Sequence, residues 1–498
     1  MNTTEHATGR SHRMLFFNTL AFTLCFAAWM LNGVLVTYLV DHSVFDWSTV
    51  QVGWLLGIPV LTGSIFRLPL GILTDRYGGK WVFTLLLLVA AVPMYLLSYM
   101  DSFLGFALMS FGFGLAGSAF AVGIANTSVW YPKRQQGLAL GIFGAGNAGA
   151  ALTTLFAPTL LIHFTQEGAD LEGWRQLPRV YAVVLAVMAV VFALFTVNRL
   201  PSTEPRTMKA LMKPLGSVRV WRFGLYYFLV FGCFVAFAQW LVPYYVNVYG
   251  ATLVLAGLLT SVFSFPSGVI RALGGWMSDR WGARRVMYWV LGSSVAISLL
   301  LVVPKMEVIS PGRGVMAASK GTVDLVRDSL IRVGGRDYPL VMRNRDFELA
   351  DSREMVLPTK DGWQQPVVKE GDAVAKKQLL AKGVTRIYFQ ANIWVFTALV
   401  ILVGIIWGIG KAAVYKHIPE YFPKEVGVVG GMVGVIGGLG GFFCPILFGY
   451  LLDSTGLWTS SWMLMLVISI VSLWWMNLVV NRMLRAKTPE LKGRLEQH

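Results

Sequence analysis

Apolar residues fill twelve stretches of the chain, each long enough to cross a hydrocarbon core of roughly 30 Å as a helix. They run over residues 14–40, 52–74, 81–99, 103–129, 137–163, 180–197, 223–247, 252–277, 286–304, 388–414, 427–450 and 461–480. The pattern predicts an all-α membrane protein with twelve transmembrane helices, interrupted between spans 9 and 10 by a polar insert at 305–387. Residues 1–13 are polar, and the first apolar stretch is too long for a signal-peptide core and lacks a small-residue cleavage site, so it stays as span 1.

Composition agrees: mean hydropathy is +0.60 and only 14% of residues are charged, which would leave a water-soluble chain with more apolar surface than it can bury. The net charge of +16 suggests nucleic acid until its distribution is read. Of 42 Lys and Arg, 22 fall in the termini and even-numbered loops, 2 in the short odd-numbered loops, 15 in the insert and 3 inside spans. Basic residues near span ends stay on the cytoplasmic side. Both termini are therefore expected in the cytoplasm, and the net charge gives no reason to expect a nucleic-acid partner. The expected domains are a six-helix half at 1–197, a cytoplasmic linker at 198–222 and a second half at 223–304 plus 388–498.

Span parity puts the insert outside the cytoplasm, since a long loop can translocate despite its charge. Stretches such as Tyr338 to Met342 and Gln378 to Ala381, punctuated by Gly and Pro, predict a small β-rich module. Residues 367–383 faintly resemble half of a biotinyl/lipoyl-like sandwich, but the Met-Lys-Met tip that would carry a cofactor is absent. No cofactor is expected, and the insert's partner is left open.

The two halves repeat. Residues 67–80 read RLPLGILTDRYGGK and residues 271–284 read RALGGWMSDRWGAR, with Arg, Gly, Asp, Arg and Gly in register. A repeat of this kind points to a carrier whose site lies between the halves. The pattern after span 2 resembles the signature loop of the major facilitator superfamily. Asp75, Arg76, Asp279 and Arg280 sit at cytoplasmic helix ends, where a gating role is expected through inter-helix charge pairs that break when the cavity opens.

Arg67 lies about fifteen residues into span 2 and Arg271 about twenty into span 8. A charge at a helix centre costs roughly 2.5 kcal/mol or more, and the usual relief is a carboxylate. All 26 Asp and Glu fall in loops, tails or the insert, none in a span interior. One such arginine can snorkel to the surface. Two at matching repeat positions would instead repel across a central cavity unless an anion sits between them, and a planar guanidinium offers forked donors to planar oxyanions.

Residues 114–149, GLAGSAFAVGIANTSVWYPKRQQGLALGIFGAGNAG, resemble the first signature of the nitrate/nitrite porter family, and residues 427–442, GVVGGMVGVIGGLGGF, resemble its second. The resemblance covers both halves but not the insert. It implies a carrier of nitrate and nitrite in a bacterial cytoplasmic (inner) membrane, in which the glycine-rich spans 5 and 11 line the path. It also implies that Asn147 and Tyr227 hydrogen-bond the anion and that Phe120 and Phe231 wall the site.

Lys411 in span 10 departs from the neutral Asn expected in some members of the family. It raises anion affinity, or carries a proton that comes and goes, or snorkels to the cytoplasmic surface. Nitrate/nitrite exchange and proton-coupled nitrate uptake are thus both expected modes. A carrier of another small organic anion and a membrane anion sensor are the alternatives. The histidines assemble no nucleophile, base and orienter, and Cys25, Cys233 and Cys444 lie far apart within spans, giving neither a metal-ligand spacing nor a disulfide framework, so no enzyme is expected.

Overall fold

In a computed structural model of the protein, residues 8–200, 213–303, 306–342, 359–389, 392–422 and 426–487 are described. Among them, 11 helices are long and apolar enough to cross a membrane, and the pair Leu253–Val269 and Arg271–Trp281, bent by 43°, passes the same test as a twelfth span. The count read from hydropathy therefore holds once the bent pair is taken as span 8.

Many of the spans are not single helices. Span 2 is Thr49–Ile65 followed by Arg67–Tyr77, and span 8 breaks in the same way at Ile270. Span 4 narrows to a 3-10 turn over Gly114–Ser118, span 5 does so over Ala145–Ala148, and span 7 widens to a π-helix over Phe228–Cys233. Such departures from α geometry free backbone groups, and they are tolerated in a membrane where the segment is buried in protein or lines a cavity.

The starts and stops have local causes. Ser48 begins span 2 with a capping box, its Oγ accepting from Gln51 N at 3.3 Å while Gln51 Oε1 accepts from Ser48 N at 2.9 Å. The two repeat helices end alike: Gly78 has φ +86° and Gly282 φ +83°, a region that a side chain would strain. The symmetry seen in sequence thus extends to backbone angles.

The two six-helix halves meet closely on the side away from the termini. Gln239 Nε2 of span 7 donates to Leu56 O of span 2 at 3.2 Å. Gly57 of span 2 approaches Phe442 of span 11 so nearly that a Cβ would lie 2.7 Å from the Phe442 carbonyl oxygen. A Cβ at Gly71, Gly141 or Gly275, by contrast, would meet nothing within 4 Å. Spans 7 and 11 also bring Cys233 and Cys444 together, their Sγ atoms 3.7 Å apart and unbonded, a pairing that sequence distance conceals.

Residues 303–398 form a separate unit. Strands β1 (Met306–Met316), β7 (Leu379–Phe389) and β5 (Thr359–Pro366) form one antiparallel sheet in the order β1-β7-β5. β4 (Arg336–Pro339), β3 (Leu330–Val333), β2 (Gly321–Arg327) and β6 (Ala373–Val374) form a second in that order. Leu380 and Ala381 from one sheet share a core with Val323, Ile331, Val333 and Tyr338 from the other, so the β-rich reading holds. Tyr388 and Phe389, apolar enough to be read as the start of span 10, pair instead with Thr359 and Met306. The helix of span 10 begins at Ile393.

Candidate functional site

The breaks in spans 2 and 8 place the two arginines. Arg67 and Arg271 are each the first residue of the restarted helix, directly after Phe66 and Ile270. Arg67 is 4% exposed. Its Nη1 donates to Gly434 O of span 11 at 2.9 Å, whereas Nε and Nη2 are buried without a hydrogen-bond partner. Arg271 Nη1 is likewise buried without one. Among the described residues neither arginine pairs with a carboxylate.

Aromatic faces seat the cations. The Arg67 guanidinium lies 5.2 Å from the Phe231 centroid, 5.5 Å from Phe120 and 5.9 Å from Trp29. That of Arg271 lies 5.7 Å from the same Phe120 ring and 5.5 Å from Tyr415. Each such contact contributes about 0.5–2 kcal/mol, the larger values where water is excluded. Tyr227 stacks on Phe231 at 5.0 Å and 10°, and meets Tyr415 edge-on at 5.0 Å. Phe120, in turn, is fixed between Phe22 and Phe143 at 5.6 and 6.1 Å.

Asn147 is fully buried in the 3-10 turn of span 5, and neither its Oδ1 nor its Nδ2 has a partner. That turn packs on span 8 three residues before Arg271: a Cβ at Gly268 would lie 3.2 Å from Ala148 N. Lys411 is also fully buried. Its Nζ donates to Ser267 Oγ at 2.9 Å, sits 3.2 Å from the Phe234 centroid and lies 5.9 Å from Phe231, the ring that also carries Arg67. Its ammonium is enclosed within the protein rather than extended to an exposed surface, as a snorkelling lysine would be.

The arrangement gathers three cations on two shared aromatic rings, Phe120 and Phe231, which suits a small oxyanion that accepts several hydrogen bonds. Sequence reasoning passed over Tyr415, Ser267 and Trp29. Tyr415 had a signal, since it follows Lys411 by one helical turn and therefore shares its face.

The signature-loop residues sit near the ends of the two repeat helices. Asp279 pairs with Lys416 of span 10, a contact inside the second half. Arg76 and Arg280 lie over Tyr77 and Trp276 of their own helices at 5.4 and 5.7 Å. Exposed helix ends let these side chains settle on the nearest aromatic face, because an ion pair in water gains little. Asp75 has a partner of its own.

The family model of the Major Facilitator Superfamily matches residues 17–316 and 379–496. A probable nitrate/nitrite antiporter, NarK1, of Thermus thermophilus is 40% identical over 490 residues, covering 97% of this chain and 95% of its own. A nitrite extrusion protein of Bacillus subtilis is 25% identical, covering 93% of each chain. A probable nitrate transporter, NarT, of Staphylococcus haemolyticus is 25% identical over 89% of this chain and 90% of its own. Among solved structures, a bacterial homologue of the lysosomal transporter Spinster superposes with a TM-score of 0.62 at 13% identity, covering 96% of this chain and 98% of the other. The nucleoside transporter NupG gives a TM-score of 0.58 at 11% identity over 93% of this chain and 99% of its own, and both likenesses speak for the fold alone. This chain belongs to the major facilitator superfamily and, within it, to the nitrate/nitrite porter family.

Proposed function

We propose that this protein moves nitrate and nitrite across a bacterial cytoplasmic membrane by alternating access, holding one anion at a time between Arg67 and Arg271. The observation that carries the reading is the set of buried guanidinium donors left unpaired beside Phe120. Asn147 and Tyr227 add hydrogen bonds, and Phe120 and Phe231 wall the site. The relatives named for nitrate and nitrite support the choice of anion over other small oxyanions.

An anion between the arginines neutralises their repulsion and lets the halves close around it; an empty site leaves two like charges facing each other and reorients slowly. Exchange of one monovalent anion for another is electroneutral. It avoids the roughly 2.3 kcal/mol per charge per 100 mV that inward movement of a lone anion would face. Both termini lie in the cytoplasm and the insert lies outside, and Asp75, Arg76, Asp279 and Arg280 act at the cytoplasmic gate.

The burial of Lys411 beside Ser267 favours a second mode, uptake of nitrate with a proton. Proteoliposome counterflow tests the function: vesicles loaded with nitrate should accumulate labelled nitrite or nitrate from outside. Absence of accumulation while the protein still binds nitrate would favour an anion sensor.

A further inference from the structure

Tyr415 of span 10 borders both arginines. Its ring lies 5.5 Å from the Arg271 guanidinium carbon. Its hydroxyl ends at span 11, where a Cβ at Gly434 would lie 3.0 Å from that oxygen and 3.9 Å from Arg67 Nη1. We propose that Tyr415 is a specificity-determining residue of the anion site: its ring seats Arg271, and its hydroxyl donates to the third oxygen of nitrate, the atom that nitrite lacks. This role rests on the reading of the central site as one that holds nitrate and nitrite.

The hydroxyl is loosely held. It donates to Gly430 O at 3.2 Å, longer than the roughly 2.5–3.0 Å of an ordinary O–H···O bond. An anionic oxygen is the stronger acceptor, so turning from that carbonyl to a bound anion gains a charge-assisted bond at little cost. Arg67 Nη1 donates to Gly434 O at 2.9 Å, one helical turn further along span 11. The tyrosine and the arginine thus dock on neighbouring carbonyls of the same glycine-rich helix. Tyr415 also shares a face of span 10 with Lys411, whose ammonium approaches Phe231, the ring that carries Arg67. Tyr415 and Arg271 are both half-buried, whereas Tyr227 and Asn147 are fully enclosed. Of these three donor side chains, Tyr415 is the one that keeps accessible surface for an arriving ion.

Nitrate and nitrite carry the same charge and share a planar O–N–O edge. Guanidinium forks engage that edge in either anion, so the arginines bind both and choose neither. The third oxygen of nitrate, enclosed without a donor, would offset part of what the forks supply. The Tyr415 hydroxyl meets that need. With nitrite bound, it stays on Gly430 O, and its removal costs nitrite nothing. A site that hydrogen-bonds a group present in one ligand and absent from the other discriminates by that bond.

Binding of nitrate and of nitrite to the purified full-length protein in neutral detergent tests this, in the wild type, Tyr415→Phe and Tyr415→Leu. Tyr415→Phe keeps the ring and loses the hydroxyl. It should bind nitrate about tenfold more weakly, the loss of one charge-assisted hydrogen bond, and bind nitrite as the wild type does, with an unchanged unfolding temperature. Tyr415→Leu also removes the ring under Arg271 and should weaken both anions. A Tyr415→Phe protein with the wild-type affinity for nitrate, or with equal losses for nitrate and nitrite, would overturn the assignment whatever Tyr415→Leu does. A wild type that binds neither anion would instead overturn the central site, and this role with it.

Discussion

Arg67 and Arg271, which lie 204 positions apart in the two repeats, rest on one phenyl ring, with their guanidinium carbons 5.5 and 5.7 Å from the centroid of Phe120. Span 4 thus supplies a single surface that orients both cations. Phe120→Leu keeps an apolar side chain there and removes the ring that attracts them. At about 1 kcal/mol per cation, about 2 kcal/mol for the two, nitrate affinity should fall roughly thirtyfold with little change in unfolding temperature. Isothermal titration of the purified variant reads this directly, and an affinity equal to the wild type would remove Phe120 from the site.

Asn147 separates binding from stability. Its amide is buried with both polar atoms unpaired, an arrangement that costs a folded protein about 1–3 kcal/mol. Asn147→Leu replaces it with an apolar side chain of similar volume. The variant should unfold at the same temperature as the wild type or higher, and bind nitrate about tenfold more weakly. Loss of stability with full affinity would mark Asn147 as a structural residue.

Lys411 separates the two coupling modes. If a proton rides on its ammonium while nitrate binds nearby, each ligand raises the affinity for the other by the same factor. Lys411→Asn should then abolish nitrate uptake driven by a pH gradient and preserve exchange between two nitrate-loaded compartments. A variant with the wild-type response to the gradient would leave exchange as the mode.

Much of the fold was legible because a bilayer imposes a simple rule, about twenty apolar residues per crossing. The arginines were legible by elimination, since no carboxylate lies within any span and the two fall in register. The departures from α geometry in the spans around them were not. The 3-10 turn at Ala145–Ala148 forms where Gly146 meets the ring of Phe22, and the π-helix at Phe228–Cys233 forms where Gly232 meets the backbone of Gly440. Both depend on contacts between spans, to which periodicity within one span is blind. Tyr388 and Phe389 misled for a related reason: two apolar residues can open a span or close a strand, and strand pairing decided it.

The orientation expected from the distribution of Lys and Arg can be checked by labelling. Ser319 is exposed in the insert, and Ser202 falls in the basic linker, at a position outside the described residues. Ser319→Cys should react with an impermeant thiol reagent in whole cells and Ser202→Cys should not. The background is low, because Cys25, Cys233 and Cys444 are buried. The reverse pattern would invert the protein in the membrane.

The anion site itself is tested most directly by nitrate binding to purified Arg67→Lys and Arg271→Lys. Lysine keeps the positive charge and loses the planar fork. Charge-assisted hydrogen bonds contribute about 1.5–3 kcal/mol, so each variant should remain folded and bind nitrate between about tenfold and 150-fold more weakly than the wild type. Wild-type affinity in either folded variant would contradict a site held between the two arginines.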